Sequence, residues 1–320
     1  MKVGWILSTV IKYPTNISVN STLSHFFYKF SGGVSDIQLV HYRYHQLNTT
    51  EKSKVEIIRN NINRVFFVIV ILTSIAGFWN IYFGPDSNPT FYQNLHVFTT
   101  FLWLGLLLAQ LVYIDSRKNS IHRRIGKSIF FVGPILIATL VLLSVHSASK
   151  SAARGEADML VIQNIFPALE VAILILLGFL FRKNRMLHGH FLMSTSLLFF
   201  GIALFFTLIS FIPDYKIEGP ETFYRFETAG ITATYISVAF GLLLFIIQRK
   251  SGWPWLLVCI LFFVNGYIGE LIERADKMIP LTAFIGSINE YVAFLSAFLV
   301  VLVVLVLSFA RKKVKINLKR

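Results

Sequence analysis

Residues 119–146 read NSIHRRIGKSIFFVGPILIATLVLLSVH, and the two halves of this stretch obey different rules. Between Lys127 and Lys150 there is no Lys, Arg, Asp or Glu. At about 1.5 Å per residue, an uncharged run of this length is long enough for a helix to cross a hydrocarbon core roughly 30 Å thick. The half before it crowds His122, Arg123, Arg124 and Lys127 around Gly126. A long uncharged run closed by a basic turn is the pattern of a membrane crossing that ends on a positively charged face.

Working outward, the pattern repeats. Apolar windows near 65–83, 94–114, 126–147, 160–181, 190–212, 229–248, 254–272 and 289–310 predict eight crossings. Gly133-Pro134 lies inside the third, where a membrane helix bends without ending because its neighbours satisfy the freed carbonyl. Asn265, Glu270 and Glu273 dilute the seventh, so that window carries the weakest signal. The expected fold class is an all-α integral membrane helical bundle of about eight transmembrane helices. Its expected divisions are a cytoplasmic extension over 1–61, loosely ordered or interfacial, a transmembrane domain over 62–310, and a basic tail over 311–320.

Composition agrees. Of 320 residues, 55% are hydrophobic and 14% charged, and the mean hydropathy is +0.65. Soluble domains carry about 25% charged residues, so lipid is the expected solvent. The net charge of +14 sits in short clusters between apolar runs, which excludes a nucleic-acid-binding face. The single cysteine, Cys259, has no partner for a disulfide.

Charge asymmetry gives the orientation. One set of loops, with the tail, holds sixteen lysines and arginines; the opposite set holds six. The richer face is expected to be cytoplasmic and to carry both termini, in a bacterial-type inner membrane. Trp79, Tyr82, Tyr92, Trp253 and Trp255 fall near predicted helix ends, as an interfacial aromatic belt would place them. Sequons at Asn16, Asn20 and Asn48 then lie on the wrong side for glycosylation.

Ionisable residues at membrane depth are costly, so the histidines are the candidate functional residues. Three of the eight, His25, His41 and His45, lie in the extension. His96 and His146 are expected at the outer face. His122, His188 and His190 are expected at the cytoplasmic face. On one continuous helix His122 and His146 would stand roughly 36 Å apart, so they could not share a ligand. Two imidazole groups, one per face, is the layout of a protein with two b-type haems, each gripped by histidines from different helices. Zinc and copper also accept imidazole. Interfacial histidines cost little at headgroup level, so the pairing by face carries this expectation rather than any one residue.

Other polar positions recur at helical spacing. His96, Thr99, Trp103, Leu107 and Gln110 form one expected inward stripe, and Gln163, Pro167, Glu170, Leu174 and Gly178 another. Glu170, about ten residues from a helix end, reads either as part of a proton path or quinone contact, or as a hydrogen bond between helices. Glu270, Glu273 and Glu290 read as solvated. Arg123 and Arg124 fix topology and are also candidates for contact with haem propionates or other anions. Hydrolase chemistry has no visible carrier.

The runs LHVFTTFLWLGLLLAQLVYIDSRKNSIHRRIGKSIFFVGPILIATLV and FPALEVAILILLGFLFRKNRMLHGHFLMSTSLLFF resemble a group of uncharacterised bacterial polytopic membrane proteins. The group's signature maps onto His96, Trp103, Gln110, His122, Arg123, Arg124, Gly126 and His188. Where the group tends to place an arginine after the later histidine, this chain has His190; His146 is outside the signature. Helices two to five are more distantly similar to the four-helix cores of dihaem b-type cytochromes. That likeness implies haem b as cofactor and a quinone or electron-transfer partner. The alternative is a non-enzymatic transporter or structural membrane protein, in which the histidines and Glu170 serve helix packing or proton transfer.

Overall fold

The computed structural model describes residues 58–116, 118–158 and 160–317, apart from the side chains of Lys250 and residues 310–317. The predicted extension lies outside these residues except for its last four. Among the described residues the chain is helical, with no strand. The helices are α1 (Ile58–Gly77), α2 (Phe91–Asp115), α3 (Asn119–Gly126), α4 (Ile129–Ala153), α5 (Val161–Leu180), α6 (Arg185–Phe211), α7 (Tyr224–Gln248), α8 (Trp253–Arg274), α9 (Met278–Gly286) and α10 (Glu290–Asn317). Eight of them, all but α3 and α9, are long and apolar enough to cross a membrane. The protein is a multi-pass, all-α membrane helical bundle.

The first crossing begins earlier than hydropathy predicts, because its polar residues have partners. Asn60 and Arg64 both reach Asp115 at the end of α2, and Asn63 accepts from the Gln248 amide at 2.9 Å. These pairs let the helix start at Ile58, and a π-helical turn, Trp79–Phe83, occupies the predicted last turn. The third crossing is the reverse case. Hydropathy merges Gly126 with the apolar run, but α3 ends at Gly126 and α4 starts at Ile129. His122 therefore belongs to a separate short helix, not to the start of the long one. Pro134 sits within α4 without ending it.

Two helices organise the bundle. α6 is the most enclosed, with 72% of its most apolar window buried, and it packs on α2, α5, α7 and α8. α4 packs on α2, α5, α9 and α10. α10, at 11%, is the most peripheral crossing. The core under α6 is aromatic. Phe66, Phe200 and Trp255 meet edge to face, with Phe66 centroids 6.0 Å from Phe200 and 5.6 Å from Trp255. Trp255 is thus a core residue at 1% exposure, whereas Trp79 and Trp253 are exposed as belt residues.

The helices approach closely where side chains are smallest. A Cβ on Gly77 would stand 2.2 Å from the Ala203 carbonyl oxygen, so α1 lies directly on α6. A Cβ on Gly286 would meet the Ala148 backbone at 2.9 Å, which seats the end of α9 against α4. Small residues permit such backbone contact in the absence of a hydrophobic drive between helices in lipid.

Candidate functional site

The two predicted inward stripes face the bundle, except that Gln163, at the start of the second, is exposed. Thr99, Trp103, Leu107 and Gln110 of α2 are buried, as are Glu170, Leu174 and Gly178 of α5. Trp103 Nε1 donates to Thr195 Oγ1 of α6 at 2.9 Å, and the Thr99 and Thr139 hydroxyls meet at 2.9 Å between α2 and α4. Both links lie in the core, where an unpaired donor is costly.

His96 and His146 come to one place. Both line a partly open cavity of about 370 Å³ enclosed by α2, α4, α5, α6 and the turn before α2. The placement follows from local structure. Thr90 and Gln93 cap α2 reciprocally, with Thr90 N–H donating to Gln93 Oε1 at 2.7 Å, and this sets His96 a turn and a half inside the helix. His146 lies near the opposite end of antiparallel α4. Its Nδ1 is 2.8 Å from Glu290 Oε1, and its ring lies against Tyr92 with centroids 4.2 Å apart. The Tyr92 hydroxyl donates to the second Glu290 oxygen. Glu290, which reads from sequence as solvated, is therefore half-buried and tied to two side chains. Each histidine retains a buried ring nitrogen without a hydrogen-bond partner: Nδ1 of His96 and Nε2 of His146.

The cavity has a direction. Along α4 its lining passes from Lys150, Ser147 and His146 to Leu143 and Leu140; along α5 it passes from Gln163 and Asn164 to Pro167 and Val171. Both helices thus turn from polar to apolar away from the same end. Leu198, Phe199, Ile202 and Phe206 of α6 close the apolar part.

At the basic face the remaining histidines take different partners. The Gln110 amide, oriented so that both ends are satisfied, donates to the His122 carbonyl oxygen at 3.2 Å and to His122 Nδ1, and accepts from Gly126 N–H at 3.0 Å. This clasps α3 to the end of α2. Burial holds His122 below its ordinary pKa of 6.5, with the neighbouring His188 and then Arg123 adding to the shift. His188 Nδ1 lies 2.8 Å from the Gly178 carbonyl oxygen, bridging α6 to α5. His190, two residues on and 3% exposed, instead has Nδ1 2.6 Å from the Ser251 carbonyl oxygen, beside Gln248. The structure brings His122 near His188 and ties His190 to the α7–α8 corner. Arg123 and Arg124 are exposed on the outer side of α3.

Glu170 is 4% exposed and within hydrogen-bonding reach of Asn265 on α8, while its Oε2 has no partner. Glu270 and Glu273 are exposed, and Glu270 pairs with Arg274 one turn along. No group of three or more His, Cys, Asp or Glu that could hold a metal ion occurs among the described residues. Comparison with protein-family models, curated proteins and solved structures returns no match.

Proposed function

We propose that this multi-pass protein binds a small membrane-soluble molecule in the cavity at the His96–His146 end, acting as a carrier or binding protein in a bacterial-type inner membrane. The supporting observation is that both histidines line one cavity and each keeps a buried ring nitrogen without a partner. A volume of 370 Å³ sits within the range of about 300 to 1,000 Å³ typical of ligand pockets, and the few polar groups at one end of an apolar chamber are what fixes a ligand's orientation. The basic face, with α3 and both termini, is cytoplasmic in this reading, so the cavity opens toward the outer half of the membrane. The resemblance to the group with the His-Arg-Arg-x-Gly signature is compatible with it, since His96 is part of that signature and His122 serves the opposite face.

Haem b is the second reading, favoured by one observation. His146 engages Glu290 through Nδ1 and leaves Nε2 free, which is how metal-bound histidines are commonly held by a carboxylate behind them. His96 and His146 would hold the iron, which would supply one-electron chemistry, and a quinone or protein would be its electron partner. At the other face, His188 rather than His190 is the neighbour available to His122.

One preparation tests both. Protein taken from its membrane in mild detergent is expected to carry a small molecule detectable by native mass spectrometry, and Leu198→Trp, which fills the chamber from α6, is expected to lose it. Wild-type and Leu198→Trp proteins with the same bound content would sink the cavity reading. A Soret band abolished by His96→Ala and by His146→Ala would select haem.

A further inference from the structure

The cavity's lining contains one lysine, two histidines and no carboxylate. Lys150 lies one helical turn beyond His146 on the same face of α4, and Gln163 and Asn164 of α5 bring amide donors to the same end. Glu290, which faces Lys150 electrostatically, is outside the lining, and its two oxygens are engaged by His146 and Tyr92. The polar end therefore offers donors and a cation. From Lys150 to Leu140 the lining runs down α4 for about 15 Å at 1.5 Å per residue, ending among Leu198, Phe199 and Ile202. Lys150, in the last turn of α4, is one of only six lysines and arginines on the less basic side, so a cation here is not explained by topology.

A cationic mouth at the membrane surface over an apolar chamber directed into the membrane matches a molecule with an anionic head and an apolar chain. We propose that the cavity takes the head and the first part of the chain of a single-chain anionic amphiphile, a carboxylate or a phosphate monoester, with Lys150 meeting the head. This rests on the cavity being a ligand site, as argued above, and adds the chemical class of the ligand. A neutral single-chain lipid would bring no charge for the Lys150 ammonium to meet.

The experiment uses the full chain in nanodiscs with three photoactivatable probes that share one diazirine-bearing hexadecyl chain: the fatty acid, the alkyl phosphate and the alcohol. Labelled residues are mapped by mass spectrometry. The acid, the phosphate or both are expected to label lining residues of α4, α5 and α6 at least about tenfold more than the alcohol, and the stronger of the two identifies the head. Lys150→Gln is expected to lower that labelling about tenfold, and Lys150→Arg to keep it. Lys150 is exposed, so neither variant threatens the fold. Equal labelling of the lining by acid and alcohol, or undiminished labelling in Lys150→Gln, overturns the anionic class while leaving a ligand cavity. Label confined to lipid-facing positions such as those of α10, with none in the lining for any probe, overturns both.

Discussion

His146 Nδ1 and Glu290 Oε1, on α4 and α10, stand 2.8 Å apart and tie the most peripheral crossing to one of the two organising helices. Tyr92 of α2 completes the clasp from the other side of the carboxylate. Removing the acceptor leaves two donors facing each other in a half-buried place. Water still reaches the group, so Glu290→Ala is expected to lower stability only modestly. Thermal unfolding in detergent checks it, and a Glu290→Ala/His146→Ala double mutant is expected to lose less than the sum of the single changes. Full additivity would show that the two side chains do not interact.

His122 gives α3 a pH dependence. Its folded-state pKa lies below the ordinary 6.5 because burial disfavours the imidazolium. The unfolded or undocked state then binds the proton more readily, so stability rises with pH through this window. The contribution is fully present above about 6.5 and is lost as pH falls below it. An environment-sensitive fluorophore on Ser120→Cys is expected to report undocking of α3 on acidification, with the response flattened in His122→Gln. A response unchanged by His122→Gln would place the pH sensitivity elsewhere.

Trp103 and Thr195 carry a donor and an acceptor that water does not reach, both at 0% exposure. Thr195→Val keeps the shape and removes the acceptor, stranding the indole N–H. The expected cost is about 1–3 kcal/mol, read by unfolding in a denaturing detergent. Trp103→Phe in the Thr195→Val background removes the stranded donor and is expected to cost less there than in the wild type.

Gly77 tolerates no side chain. A methyl group would sit 2.2 Å from the Ala203 carbonyl oxygen, which belongs to the backbone and cannot swing away. Gly77→Ala is expected to force α1 off α6 at a cost of about 1–3 kcal/mol. Gly105, with open space around it, is the control: Gly105→Ala is expected to be neutral or mildly stabilising. Equal effects of the two substitutions would refute the close approach.

Orientation is tested by fusion reporters. Alkaline phosphatase joined after Glu218, between α6 and α7, is expected to be active, and joined after Arg320 inactive. The opposite pattern would invert the protein and place the cavity at the cytoplasmic side.

The crossings were legible because their cause is local. A run such as 128–149 carries no charge over a length that lipid demands, so composition alone specifies a buried helix, and eight such runs specify the class of fold. The stripes of α2 and α5 were legible for the same reason, since helical period places Thr99, Trp103 and Gln110 on one face wherever that face points. Helix ends were less legible. Asn60, Asn63 and Arg64 look like the outside of a membrane until Asp115 and Gln248 supply their partners from other helices.

The site belongs to tertiary structure. Helical period puts His188 and His190 on different sides of α6, but only packing gives one the Gly178 carbonyl and the other Ser251. Glu290 has the local sequence of a solvated helix start; it becomes half-buried because α10 lands where Tyr92 and His146 converge. Hydropathy fixes how many times this chain enters lipid, because each entry is decided within one helix. Which polar groups meet inside is decided between helices, where the need to pair every buried donor and acceptor selects one arrangement of the bundle.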